Sequence, residues 1–418
     1  MQTPSFPDAL SKLHINPARL LQRLQTLGGV GALAGGGVSR LALTEDDRRG
    51  RELVTQWMRE LGLRVTIDGI GNVVGLRPGA EPLAPVMTGS HIDTVHGGGL
   101  YDGNLGVLAG LEVVETLNAA RVATRRPLAI AVFTNEEGAR FPPDMMGSLV
   151  YVGGMPLADA LATEGIDGLT VGECLTREGL AGAAPCGDPR VHAFVELHIE
   201  QGPRLEREGL TIGAVDGVQG ISWTEYTLTG SPNHAGTTPM ELRRDAGYVV
   251  ANVTCYAREL AREFGGAQVA TVGAVTLTPN LVNVVPGEAV FTVDLRNTDE
   301  RRLQEAERRV DARVRAVAAA EGVTVERRTL SRFAPVQFDP AIVARVERAA
   351  RALGHSCVRM PSGAGHDAQM LARVCPSGMI FVPSADGISH NRLEHTEPAD
   401  LEAGANVLLR VLLELTAS

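Results

Sequence analysis

Long apolar runs, paired cysteines and lysine are all scarce in this 418-residue sequence. No apolar run approaches the ~20 residues that a bilayer-spanning helix needs, so no membrane segment is expected. The five cysteines (Cys174, Cys186, Cys255, Cys357, Cys375) are odd in number and form no CxxC, and no basic n-region with an apolar h-region precedes them. A reducing cytoplasm is the expected location. Lys12 is the only lysine, and with Ala and Gly abundant the arginine-borne positive charge reads as compositional bias rather than as a functional surface. A formal net charge of −10 and the lack of a basic aromatic patch disfavour nucleic acid and anionic membrane as partners.

The residues that are present describe an ordinary globule, with 44% hydrophobic and 21% charged side chains. At about 150 residues per domain, the length suggests two or three domains. The most informative stretch is TGSHIDTVHGGGLYDGNLGVLAGLE. An apolar run at 83–87 leads to His91 and Asp93, two apart and so on one face of an extended segment. Asp102 follows in a turn with Gly97, Gly98, Gly99 and Gly103, directly before a helix-period run at 105–117. Strand, tight loop and helix in that order hold an imidazole and carboxylates on backbone ends with their heads free.

Around it, Asn16-Pro17 opens a helix that stops at Gly28, and 28–37 reads as a Gly-rich surface loop. Thr44 and Asp47 resemble a capping box before a helix ending at Gly62. The continuous apolar run at 128–134 suits a strand buried on both faces, and helices alternating with such strands argue for an α/β sheet. Segment 192–199 reads as a strand alternating around Phe194, Glu196 and His198. From about 215 to 331 the order becomes βαββαβ, a small two-layer domain with one exposed sheet face. The short run MIFV after it is too little for a separate core and is expected to complete the first sheet, which makes the small domain an insertion.

The polar residues worth weighing follow predicted strands: His91, Asp93 and Asp102, then Glu136 and Glu137, then His198 and Glu200, and finally His390. Open α/β sheets place sites beyond the carboxyl ends of their strands. Three imidazoles with carboxylates there suit a divalent metal. Asp102, short and held by glycines, suits a bridge between two cations; His91 and His198 would complete one, Glu137 and His390 the other. Asp93 is close enough to orient the other nitrogen of His91. Glu136 is then left to take a proton from water and pass it to a leaving nitrogen, which points to hydrolysis of an amide-like bond. A metal, His234 or Asn283 could stabilise the oxyanion.

The segments GSHIDTV, GGGLYDGNLGVLAGLEV, FTNEEGARF, MMGS, ELHIEQGPRLE, LTGSPNHAGTTPM, RRDA, NVVPGEAVFTVDLRN, PSGAGHDAQ and FVPSADGISHNRLE occur in order over about residues 40–410. They resemble the hydantoinase/carbamoylase family of metal-dependent amidases. This is the branch of the M20 peptidase-like group with N-carbamoyl-L-amino acid hydrolases, allantoate amidohydrolases and β-ureidopropionases. The resemblance implies an α/β fold: a zinc-aminopeptidase-like three-layer catalytic domain from 1–214 and 332–418, with 215–331 inserted as a two-layer α+β lid and dimerisation domain. It implies two divalent ions per subunit (Zn²⁺, Mn²⁺ or Co²⁺) on His91, Asp102 as bridge, Glu137, His198 and His390, with Glu136 as general base. Gln201 would contact the ureido or amide end of the substrate. His234 would reach the partner's active site in a homodimer and steady the oxyanion. Asn283 and Arg296 would grip the substrate carboxylate, a task suited to the planar guanidinium fork.

The reaction so implied is hydrolysis of the ureido C–N bond of a small carboxylate such as an N-carbamoyl-L-amino acid, with release of ammonia and carbon dioxide. Allantoate hydrolysis, N-acyl-amino acid or peptide hydrolysis, and non-catalytic small-molecule binding are the competing expectations. Three positions depart from the family pattern without touching a ligand or the base: Leu100 replaces an arginine in GGGLYDG, Leu149 replaces one after MMGS, and Arg392 replaces a proline in SHNRLE.

Overall fold

The computed structural model describes residues 10–418; positions 1–9 of the expected first segment lie outside the described residues. Six strands come first: β1 Arg64–Ile67, β2 Val73–Arg77, β3 Val86–His91, β4 Leu128–Phe133, β5 Ala193–Ile199 and β6 Ile212–Val218. The chain then builds β7 Gly220–Thr229, β8 Asn233–His234, β9 Val269–Thr278, β10 Val284–Val285, β11 Glu288–Asn297 and β12 Thr324–Phe333. It returns with β13 Val336–Gln337, β14 Cys357–Ser362 and β15 Ser377–Val382. Two compact units result: the described residues to Gly217 with Gln337–Ser418, and Val218–Val336. The expected boundaries, 214/215 and 331/332, fall inside β6 and β12, because both strands run on through residues that interrupt the apolar pattern, Asp216-Gly217 and Ser331-Arg332.

In the first unit the sheet order is β1-β2-β4-β3-β5-β15-β6-β13, with β14 on β6. The four central strands β4, β3, β5 and β15 are parallel, so their carboxyl ends share one edge. Every residue of these four strands is buried. Since successive side chains point to opposite faces, that pattern requires cover on both. Helix Asn104–Ala119 lies on β3, β4 and β5, and helix Pro398–Ala417 on β15, β5 and β3. β5 departs from its expected alternation, because its polar residues also find buried partners. Glu196 accepts from the Ser90 hydroxyl at 2.6 Å and from the Ala368 N–H at 2.9 Å.

The second unit is a four-stranded antiparallel sheet, β12-β7-β11-β9. Helices Ala246–Phe264 and Glu300–Ala320 cover it through Val249, Val253, Val310 and Val314, which meet Tyr226, Leu228 and Phe291. Tyr226 on β7 is buried whereas Trp223 on the same strand is exposed, as for a sheet covered on one face. This is the expected βαββαβ order, with one addition. The two-residue strands β8 and β10 pair His234 with Val284 and Asn233 with Val285, a ladder too short to leave a periodic signal. Among the described residues, no helix is long and apolar enough to cross a membrane.

Arg40, fully buried, ties the first unit together near the site-bearing edge. Its guanidinium donates to the carbonyls of Ile92 (2.7 Å), Leu27 (3.1 Å) and Val30 (2.7 Å) and to Oδ1 of Asn104 (2.8 Å). It thus joins helix Pro17–Gly28, the end of β3 and the start of helix Asn104–Ala119. Burial pulls its pKa down to about 10, still charged at neutral pH. Arg40→Met would take the guanidinium donor from the carbonyls of Ile92 and Val30 and from Oδ1 of Asn104, and would leave Leu27 with only the Val30 N–H. Urea unfolding should show a loss of about 3–4 kcal/mol; an unchanged midpoint would mean that the guanidinium holds nothing together.

Candidate metal centre

Apart from Asp102, the expected metal-binding residues of the first unit stand at or beyond the carboxyl end of a central strand. His91 ends β3, Glu136 and Glu137 follow β4, His198 lies at the end of β5, and His390 follows β15. Asp102 opens the helix that packs on β3. Its Oδ1 lies 3.2 Å from Nε2 of His198 and 3.7 Å from Nε2 of His91. Its Oδ2 lies 3.2 Å from Nε2 of His390, which is 3.2 Å from Oε2 of Glu137. Ligand atoms of His91, Asp102 and His198 therefore fall within 4.8 Å of one another, as do those of Asp102, Glu137 and His390. Gly103 permits this closeness: its φ is +65°, and a Cβ there would stand 2.4 Å from the His91 ring.

The donors fit a divalent cation. Nδ1 of His91 bonds to the carbonyl of Asp93 at 3.0 Å and Nδ1 of His198 to that of Ile199 at 2.9 Å. A carbonyl only accepts, so Nδ1 carries a proton in each ring and Nε2, which faces Asp102, is the nitrogen whose lone pair a cation could take once its own proton is lost. Asp93 thus faces the other nitrogen of His91 through its backbone oxygen rather than its carboxylate. The carboxylate, 3.8 Å from Nδ1, accepts instead from the N–H groups of Glu136 (3.3 Å) and Glu137 (3.2 Å), one buried and one partly buried. Glu136 projects to 3.3 Å from Nε2 of His91. Gln201 donates from Nε2 to Oδ2 of Asp102 at 2.8 Å, while its Oε1 has no partner among the described residues.

Electrostatics make the same case. Burial opposes ionisation of Asp102, but hydrogen bonds from His198 and His390 hold it well below the usual carboxylate range. Burial lowers His198, and the hydrogen bond and charge of Asp102 more than reverse this, to about 9. Hydrogen bonds to Asp102 and Glu137 raise His390 to about 11. Burial and then the charges of Asp367, Glu137, Asp102 and Asp93 push Glu136 well above its ordinary value. Buried acids at this density call for positive charge, which protons on the imidazoles or divalent ions can supply. Asn135 (φ +55°), Gln201 (+57°) and His390 (+53°) also share left-handed backbone, each at a cost of about 1–3 kcal/mol that clusters at functional sites.

A cavity of about 100 Å³ opens on these groups, with Asp144, Gly365 and His366 also in its wall. Nothing in the sequence marks those three as site residues, nor Glu196 and Glu394. His366 and Asp367 follow β14, a strand hidden in sequence by Arg359 and Pro361. Glu196 lies within a strand rather than at its end, and Glu394 lies within a loop. Two of the three departures from the expected pattern pack the Gly-rich loop near the site: Leu100 sits against Gly28, and Arg392 donates to the carbonyl of Gly35 at 3.2 Å; Leu149 sits instead against Gly154.

The other three expected residues belong to the second unit. His234 is exposed, and its Nδ1 accepts from the N–H groups of Gly236 (3.1 Å) and Thr237 (3.2 Å), which leaves the proton on Nε2. Asn283 is a neighbour, its carbonyl accepting from the Ala235 N–H at 2.9 Å. Arg296 reaches Asp294, two residues away on β11, with Nη2 to Oδ2 at 3.0 Å.

Comparison with known proteins places this geometry in context. Residues 78–414 match the model of peptidase family M20/M25/M40. The chain is 41% identical over 401 residues to an N-carbamoyl-L-amino-acid amidohydrolase of Rhizobium meliloti, covering 96% of each. It is 35% identical over 399 residues to an allantoate amidohydrolase of Bacillus subtilis, covering 94% of this chain and 96% of that one. Among solved structures, a hydantoinase/carbamoylase family amidase from Burkholderia multivorans superposes with a TM-score of 0.94 at 43% identity, covering 97% and 99% of the two chains.

Ions must displace the protons that the carboxylates hold on His198 (about 9) and His390 (about 11). Because both values are raised, the protons are bound at neutral pH and leave more easily as pH rises. Apparent Mn²⁺ affinity should therefore climb between about pH 6 and 8, by about tenfold per unit for each proton displaced. Titration calorimetry in buffers of different ionisation enthalpy counts those protons; affinity independent of pH would argue against imidazole ligands.

Proposed function

The chain belongs to peptidase family M20/M25/M40, in its hydantoinase/carbamoylase amidase branch, and from this we propose that it is a binuclear metal-dependent amidohydrolase. Its substrate is a small ureido carboxylate, foremost an N-carbamoyl-L-amino acid. The observation that carries the reading is Asp102, whose Oδ1 faces His198 and His91 and whose Oδ2 faces His390, with Glu136 beside His91. The higher identity to the carbamoyl-amino-acid enzyme supports that substrate over allantoate.

His91, Asp102 and His198 would hold one ion, and Asp102, Glu137 and His390 the other, with Zn²⁺, Mn²⁺ or Co²⁺ all suited to these ligands. When bound, such ions supply Lewis acidity, polarising the ureido carbonyl and easing deprotonation of water. Glu136 takes the proton from the attacking water as the new C–O bond forms, then delivers it to the terminal nitrogen as that C–N bond breaks. Ammonia leaves, and the remaining carbamate splits into the amino acid and carbon dioxide. Gln201, already turned to Asp102, has its free amide oxygen available to a ureido N–H.

The second unit serves as lid and dimerisation domain in this reading. The Nε2–H of His234 is a donor suited to a developing oxyanion, and Arg296 would exchange Asp294 for the substrate carboxylate, with Asn283 beside it. Met240 (74% exposed), Leu242 (69%), Leu281 (58%) and Val282 (104%), close in sequence to His234 and Asn283, are exposed apolar side chains that support burial against a second subunit. The five free cysteines accord with a reducing cytoplasm.

Ammonia release should be compared on N-carbamoyl-L-amino acids, allantoate, 3-ureidopropionate and N-acetyl amino acids with defined metal content. The carbamoyl amino acids should be fastest, and no turnover of any ureido compound would sink the assignment. Glu136→Gln should lower kcat about 10²–10⁴-fold with KM little changed. If His234 acts across the dimer, mixing His234→Ala with Glu136→Gln should restore activity that neither variant has alone; a mixture as inactive as its parents would refute a shared site.

A further inference from the structure

Glu394, four residues beyond His390, is buried, and all of its hydrogen bonds go to the loops that carry Asp102 and His390. Its Oε1 accepts the N–H groups of Tyr101 (2.9 Å) and Asp102 (3.1 Å), and its Oε2 accepts the Ser389 hydroxyl at 3.0 Å. The same hydroxyl lies 3.1 Å from Oδ2 of Asp102, the oxygen that faces His390. Gly99 keeps this place open, since a Cβ there would stand 2.2 Å from Oε1 of Glu394 and 2.4 Å from its Cβ.

Asp102 sits in a turn with glycines at 97, 98, 99 and 103, the most conformationally free backbone in the first unit's site. A carboxylate shared by two imidazole sets must nevertheless be held to within about 0.5 Å. Glu394 supplies that restraint by fixing two consecutive N–H groups. Ser389, with a single proton to give to either carboxylate, fastens the neighbour of His390 to the same point.

We propose that Glu394 is a positioning residue that fixes the Asp102 carboxylate between the two imidazole sets and locks the His390 loop to it. The inference rests on reading Asp102 as a metal ligand. It acts by geometry and not by charge: a side chain of the same length with an acceptor oxygen serves, and a shorter carboxylate does not.

The test is Mn²⁺ binding to chelator-stripped protein, followed by the electron paramagnetic resonance of the free ion, beside circular dichroism of the metal-free fold. Glu394→Gln keeps length and acceptor and should bind Mn²⁺ close to wild type. Glu394→Asp keeps charge but falls short, and Gly99→Ala displaces Glu394 without altering any acidic residue. Both should bind about 10–100-fold more weakly with an unchanged dichroism spectrum. Affinity retained in Glu394→Asp but lost in Glu394→Gln would overturn the proposal, as would affinity unchanged in all three. If the Asp and Ala variants do not fold, Ser389→Ala decides: weaker binding supports the lock and unchanged binding overturns it. Wild-type protein that binds no Mn²⁺ would overturn the metal reading itself and this inference with it, whereas the other adverse results overturn the inference alone.

Discussion

Asp102 presents one carboxylate oxygen to His198 and the other to His390, and the rest of the site is arranged to make that double engagement possible. Six side chains from four strand ends and a helix start converge on a volume where Glu136, Glu137, Asp93 and Asp102 would repel one another if left uncompensated. Burial sharpens that repulsion, because charges out of water are costly unless paired. The imidazoles supply the compensation here, and the same lone pairs and carboxylates are what a divalent ion would bind. The chemistry of the site and the stability of its surroundings are therefore one electrostatic problem.

The architecture solves it through strand direction. β4, β3, β5 and β15 run parallel, so residues separated by up to 299 positions emerge at one edge. Helix Asn104–Ala119, packed on those strands, brings Asp102 to the same edge. Rigid supports lie just beneath: Arg40 joins the end of β3 to the helix start, the Asp93 carboxylate pins the turn bearing both glutamates, and Glu394 pins the turn bearing Asp102. The left-handed backbone at Gln201 and His390 is strain that such a framework can hold.

Much of this was legible in advance where a residue followed a strong apolar run. His91 after 83–87, Glu136 and Glu137 after 128–134, and His198 after 192–199 all stood out because a buried strand leaves a continuous apolar signature and its polar end interrupts it. The βαββαβ pattern of the second unit was legible because one helix-covered face imposes period 2 on the strands and period 3.6 on the helices. Glu394, Asp144 and His366 were silent for the converse reason. Their neighbours form loops or a strand broken up by Arg359 and Pro361, so nothing local distinguishes them from solvated polar residues. Asp93 was half legible: its proximity to His91 follows from spacing, but which of its oxygens does the orienting depends on two N–H groups arriving from residues 136 and 137.

By itself, then, the sequence determined the alternation of buried strands and helices, the inserted domain, and the set of imidazoles and carboxylates able to meet, because burial and periodicity are properties of neighbours along the chain. Only the tertiary structure decided which oxygen of Asp102 faces which histidine, that a backbone carbonyl orients His91, and that Glu394 holds the Asp102 turn. Those choices depend on groups hundreds of residues apart competing for the same few buried hydrogen bonds, and no local pattern records the outcome of that competition.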